Sequence, residues 1–151
     1  MSISSFFEQL GAPLANQRWA WGARRARDGA IFLRVWQDLK FVREDGIWVL
    51  VYERWMEHKG VLGHQERGAQ VAAIRAGAPC FLVMCVANDI DAKQRKIQDF
   101  NEDEVFVGGE LLDTSPGFSY PPTTAPHVKR LTEAGATWIR LGARTPVSDL
   151  R

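Results

Sequence analysis

The chain has 151 residues, 46% of them hydrophobic and 25% charged, and its 19 Lys+Arg against 18 Asp+Glu leave a formal net charge of +1. That length suits one domain with its own core, the apolar content is too high for a disordered chain, and the charge balance excludes a global basic field. The longest apolar run, residues 79–87, is about half a membrane span, and the first residues lack the basic and apolar regions of a secretory signal. The expectation is a single cytoplasmic domain over residues 1–151 with no membrane partner.

Ser5 and Glu8 have the S-x-x-E spacing of a capping box and predict a short helix ending near Gly11 and Pro13. From Arg18 the pattern alternates: Trp19 and Trp21, then residues 31–36, on either side of an Arg27-Asp28-Gly29 turn. A third strand, residues 47–52, follows Glu44-Asp45-Gly46, so residues 18–54 read as three successive antiparallel strands. Residues 63–76 predict an amphipathic helix with Ala69, Val71, Ala72, Ala73 and Ile74 inward and His64, Glu66, Arg67, Gln70 and Arg75 outward. Residues 81–86 are almost wholly apolar and predict a central strand covered on both faces.

A further strand over residues 105–112 is kinked at Gly108-Gly109. Four prolines between Thr114 and Pro126 mark an irregular loop, followed by a short helix over residues 127–133, a last strand over 137–141 and a loose polar tail. The sum is an α+β fold: a strongly curved mixed sheet, a small β-barrel, flanked by short helices.

Catalytic signatures are missing. The chain holds no G-x-S-x-G, no P-loop and no G-x-G-x-x-G. His58, His64 and His127 lack the spacing of a zinc site, and the acidic groups at 88–91 and 101–104 lack the glycine turn and terminal Glu of an EF-hand. Cys80 and Cys85, five residues apart in one strand, face opposite ways and read as buried free thiols. No enzymatic activity, metal or cofactor is expected.

Aromatic content is the unusual feature, with 6 Trp against 2 Tyr. Trp19, Trp21, Trp36 and Trp48 fall in the first three predicted strands, where they either fill the core or wall a cavity. Tryptophans sharing a face beside Asp38 suit a flat polar ligand such as an extruded nucleobase, stacked on aromatics and read along its edge. Two basic clusters, Arg24-Arg25-Ala26-Arg27 and Lys93-Gln94-Arg95-Lys96, are either solvated loops or phosphate contacts.

The segments Asn16-Gln-Arg-Trp-Ala-Trp-Gly-Ala23 and Ile31-Phe-Leu-Arg-Val-Trp-Gln-Asp38 resemble the N-terminal modules of bacterial modification-dependent HNH restriction endonucleases. Those modules are similar to the EVE domain of the PUA-like superfamily, which includes the SRA and YTH domains. The resemblance is sharpest over residues 14–38 and extends by element order to about residue 113. It implies a non-enzymatic reader of 5-methylcytosine that flips the base into an aromatic pocket of Trp19, Trp21, Trp36 and either Gln37 or Asp38. Period-2 alternation allows only one of that last pair to face the pocket.

Phosphate contacts would come from Arg24, Arg25 and Arg27, and from Lys93, Arg95 and Lys96. The chain carries no His-Asn-His motif, so the implied partners are methylated double-stranded DNA and a separate nuclease or effector, with location at the nucleoid. Two alternatives stand beside this reading. One is a YTH- or PUA-type RNA reader; the other is a small nucleotide-metabolising enzyme using Asp38 or Glu53 as base.

Overall fold

The computed structural model describes residues 1–54 and 61–151. His58 lies outside them. Helix α1 (Ile3–Gln9) leads into β1 (Gly22–Arg24), β2 (Ile31–Trp36), β3 (Lys40–Arg43) and β4 (Gly46–Glu53). Then come α2 (Leu62–Arg75), β5 (Cys80–Ala87), β6 (Ile97–Phe100), β7 (Glu104–Thr114), α3 (Pro126–Leu131), β8 (Ala136–Pro146) and a 3-10 turn at Val147–Asp149. The chain is α+β, with a mixed eight-stranded sheet in the order β1-β2-β5-β7-β8-β4-β3 and β6 added on β5. β2 and β5 run parallel; the other pairs are antiparallel.

The sheet curls on itself without closing. Four strand steps separate β2 from β4, which in a flat sheet is about 19 Å at about 4.8 Å per strand. Yet one guanidinium, that of Arg67 on α2, donates to the Val51 carbonyl of β4 (2.7 Å) and the Arg34 carbonyl of β2 (2.8 Å). No ladder joins these two strands among the described residues, so the expected small barrel stands as an open curl with an arginine in its seam. Register shifts at Gly108 in β7 and between Leu50 and Tyr52 in β4 supply the bends. A Cβ on Gly108 would sit 2.7 Å from Ile139 Cδ1 and 2.9 Å from Cys80 Sγ, so the bend there requires glycine.

Inside the curl, Ile31, Leu33 and Val35 of β2 meet Val49 and Val51 of β4, Leu82 and Ile139. On the other face of β2 and β5, Phe32, Val83 and Cys85 pack on Phe6, Phe7 and Leu10 of the N-terminal helix. A third cluster gathers Phe41, Trp48, Val128 and Trp138, with Phe41 edge-on to Trp138 at 4.7 Å. β5 is thus covered on both faces as its apolar run predicts, and Cys80 and Cys85 lie in different clusters as free, buried thiols.

Several elements differ from the sequence expectation. The first helix starts earlier, capped by the Ser2 hydroxyl accepting from the Ser5 N–H (3.1 Å). Residues 18–54 do not form three successive paired strands: β2 pairs with β1 and β5, while β3 and β4 make their own hairpin. Trp19 and Trp21 both precede β1 and share no strand face. On α2 the expected faces hold only in part: Val71, Ala73 and Ile74 pack on the core and Arg75 is exposed, but His64, Arg67 and Gln70 are buried while Ala69 and Ala72 are exposed. The helix lies on strand carbonyls that need donors, and polar side chains answer that need. The tail is tied down: Val147 is buried, its N–H donates to the Asp103 carbonyl (2.8 Å), and Leu150 packs with the N-terminal cluster.

Candidate functional site

β2 ends at Trp36, and Gln37 and Asp38 form the turn into β3. Strand alternation therefore does not govern them. Gln37 is exposed, and Asp38 points inward, where its carboxylate gathers two distant parts of the chain. Arg95, from the β5–β6 connection, donates to both oxygens (2.6 and 2.9 Å), and His127 Nε2–H of α3 donates to Oδ2 (2.8 Å). Arg95 also donates to the Ile90 carbonyl (2.7 Å), and its guanidinium carbon lies 5.4 Å from the Trp36 ring centroid. These side chains are 21% (Asp38), 10% (Arg95) and 19% (His127) exposed, so the cluster is half-sunk and still reachable. Burial pushes the Asp38 carboxyl up, but the hydrogen bonds from Arg95 and then His127 outweigh it and hold it below its ordinary value.

Glu53 belongs to the same neighbourhood. Lys40 pairs with Val49, and the Leu50 N–H donates to the Leu39 carbonyl (3.0 Å), so the β3–β4 register continues beyond β3. Glu53 ends β4, two residues past the Val51 carbonyl that Arg67 joins to Arg34 of β2, and the charge of Arg95 reaches its carboxyl. Burial raises the Glu53 carboxyl to about 7, and the positive charge of Arg95 offsets this only in part. The carboxyl has no hydrogen-bond partner among the described residues. Behind it, His64 Nε2 bonds the Glu53 carbonyl (2.9 Å) and its ring stacks on Tyr52 at 4.7 Å.

Trp21 sits at the same end of β2. Its carbonyl accepts from the Arg34 N–H (2.9 Å) and from Arg67 (2.8 Å). The start of α2 presses against it: a Cβ on Gly63 would stand 2.5 Å from the Trp19 carbonyl and 2.7 Å from the Trp21 ring. Trp19, Trp21 and Trp36 are all half-buried, whereas Trp48 and Trp138 are core.

The Arg24–Arg27 turn is elsewhere. Arg24 pairs with Ile31 at the opposite end of β2 from Trp36, about 17 Å away at about 3.3 Å per residue. Arg25 is buried, forked onto Asp28 (3.0 and 2.7 Å), bonded to the Leu10 and Leu150 carbonyls and set over Phe32. Arg27 donates to the Leu150 carbonyl (2.7 Å). Arg25 is therefore a structural residue and not part of a mobile phosphate loop. Of the second basic cluster, Lys93 and Lys96 are exposed while Arg95 turns inward onto Asp38.

Sequence reasoning missed His127 and the seam residue Arg67. The former pairs with a residue 89 positions away and has no local signal; the latter hid in a helix whose polar face was assigned to solvent. Among the described residues, no His/Cys/Asp/Glu group could hold a metal ion, and no helix is long and apolar enough to cross a membrane. The geometry supplies a half-buried indole, a planar cation on it, a fixed anion and a carboxyl that changes protonation near neutrality. No family model, curated protein or solved structure matches the chain.

Proposed function

We propose that this chain is a non-enzymatic nucleic-acid reader that extrudes a modified cytosine, 5-methylcytosine in duplex DNA, and seats it at Trp36. The observation that carries the reading is the cluster itself: an indole plate under a guanidinium clamped by Asp38 and His127, with the carboxyl of Glu53, which has no hydrogen-bond partner among the described residues, within reach of the Arg95 charge. Bases stack on indole and on guanidinium planes, and stacking returns about 1–3 kcal/mol against an extrusion cost of a few. With both Asp38 oxygens engaged by Arg95 and His127, Glu53 is the better edge reader. Its neutral form donates one hydrogen bond and accepts another, which suits the ring nitrogen and exocyclic amine of cytosine. One buried methyl adds about 0.8 kcal/mol, so preference over cytosine is several-fold.

In this reading the curled sheet is a PUA-like small barrel of the EVE kind, with α2 and Arg67 standing in for the missing ladder. Trp21 serves as the neighbouring wall, and Trp19 and Gln37 lie at the margin. The partner proposed for the chain, besides methylated duplex DNA, is a nuclease or effector at the nucleoid. A mobility-shift series on duplexes carrying 5-methylcytosine, cytosine or thymine at one position, at stated salt, tests it. The modified duplex binds several-fold tighter. Preference for N6-methyladenosine RNA instead would move the protein to the YTH-like alternative.

A second reading has one observation behind it. Asp38 and His127 are spaced as a base and its orienting carboxylate, beside a Glu that titrates near 7, an arrangement that also suits a small nucleotide-processing enzyme. Arg95 on the same carboxylate argues against it, because it holds the charge that a working dyad needs to share. Turnover of free nucleotides by the purified chain, abolished by His127→Ala, would establish that reading.

A further inference from the structure

We propose that the nucleic-acid backbone docks on a basic rim of Lys40, Lys93, Lys96, Lys129 and Arg130 surrounding the Asp38 cluster, and not on the Arg24–Arg27 turn. The inference rests on the reader function and names the surface by which it engages a polyanion. Each member of the cluster brings its own cations. Lys40 follows Asp38 by two residues, Lys93 and Lys96 flank Arg95, and Lys129 and Arg130 follow His127 by two and three. Adjacent Cα atoms are about 3.8 Å apart, so the contacts among Asp38, Arg95 and His127 bring three distant chain segments, each carrying exposed cations, into one neighbourhood.

All five are exposed and make no ion pair among the described residues, in contrast to Arg43, Arg75, Arg140 and Arg144, each of which is paired. The acids closest in sequence, besides Asp38 itself, are Glu44, Asp89, Asp91, Asp99 and Glu133; Asp89 is turned back to accept from the Asp91 N–H and Asp99 from the Phe100 N–H (2.9 Å each). The Arg24–Arg27 turn offers far less: Arg25 is internal, Arg27 is bonded to the chain terminus, and the turn lies at the wrong end of β2 for Trp36.

Five phosphate contacts give a log–log salt slope of about −4.5, at about −0.9 per contact. The test compares wild type, a Lys40→Gln/Lys129→Gln/Arg130→Gln variant, a Lys93→Gln/Lys96→Gln variant and an Arg24→Gln/Arg27→Gln control. Each is titrated with methylated and unmethylated duplexes across a fourfold range of salt, with melting curves to verify folding. Each lost contact removes about a 3.5-fold change in affinity over that range. Both rim variants flatten the slope equally for the two duplexes, and the control leaves it unchanged. A flattened slope in the control, with the rim variants unaffected, overturns the rim while leaving base reading intact. Flattening by the rim variants without wild-type preference for the methylated duplex upholds the rim and overturns base reading. No wild-type binding to either duplex overturns both.

Discussion

Asp38 and Glu53 are two carboxyls in one neighbourhood pushed in opposite directions, and each has a pH signature. Asp38 is held below its ordinary value despite burial, because Arg95 and His127 donate to its charged form. Its stabilisation is present above the unfolded value of about 3.9 and is lost as pH falls through the folded one. Asp38→Ala should cost about 1–3 kcal/mol at neutral pH in denaturant unfolding, with the gap to wild type closing in acid. A gap that persists unchanged below about pH 3 would assign the loss to packing. Glu53 is raised, so its contribution is fully present below the unfolded value and lost as pH rises through about 7. Glu53→Gln keeps the shape without the charge. It should be more stable than wild type at about pH 8 and equal to it at about pH 4, with the displacement from 4.5 to about 7 capping the gain at about 3 kcal/mol. Equal stability at both pH values would show that the carboxyl is solvated.

At the scale of elements, α2 is the informative case. Apolar periodicity located the helix within a residue at each end and placed Val71, Ala73 and Ile74 on the core side, yet it sent His64, Arg67 and Gln70 to solvent, because periodicity assumes that a helix buries only its apolar side. Arg67, 5% exposed, instead donates to three main-chain carbonyls, those of Trp21, Arg34 and Val51. Burial lowers it to about 10 without neutralising it at neutral pH. Arg67→Ala removes this donor from the Val51 and Arg34 carbonyls, while the Trp21 carbonyl keeps the Arg34 N–H; at about 1–3 kcal/mol for each carbonyl left unsatisfied, it should destabilise by more than Val71→Ala on the same helix. Arg67→Lys should not restore stability, since one ammonium cannot span two strands as the guanidinium fork does. Denaturant unfolding of the three variants checks this, and full rescue by lysine would refute the bridging role.

For the molecule as a whole, the alternating and apolar runs were enough to read an α+β domain, the central strand, the kink at Gly108 and the opposed cysteines. They could not show that β2 pairs in parallel with β5, or that the chain terminus folds back onto Arg25. Both depend on contacts across long stretches of chain that leave no local pattern. The site was half legible: a carboxylate beside Trp36 called for a partner, but His127 and Arg95 are joined to it only by the fold. Binding of methylated and unmethylated duplexes by wild type, Trp36→Phe and Trp36→Ala, with melting curves on each, tests the central claim most directly. Wild type should prefer the methylated duplex several-fold, Trp36→Phe should retain that preference at reduced affinity, and folded Trp36→Ala should lose about 1–3 kcal/mol of binding together with the preference. A folded Trp36→Ala that still prefers methylated DNA would contradict the assignment of this cluster as the recognition site.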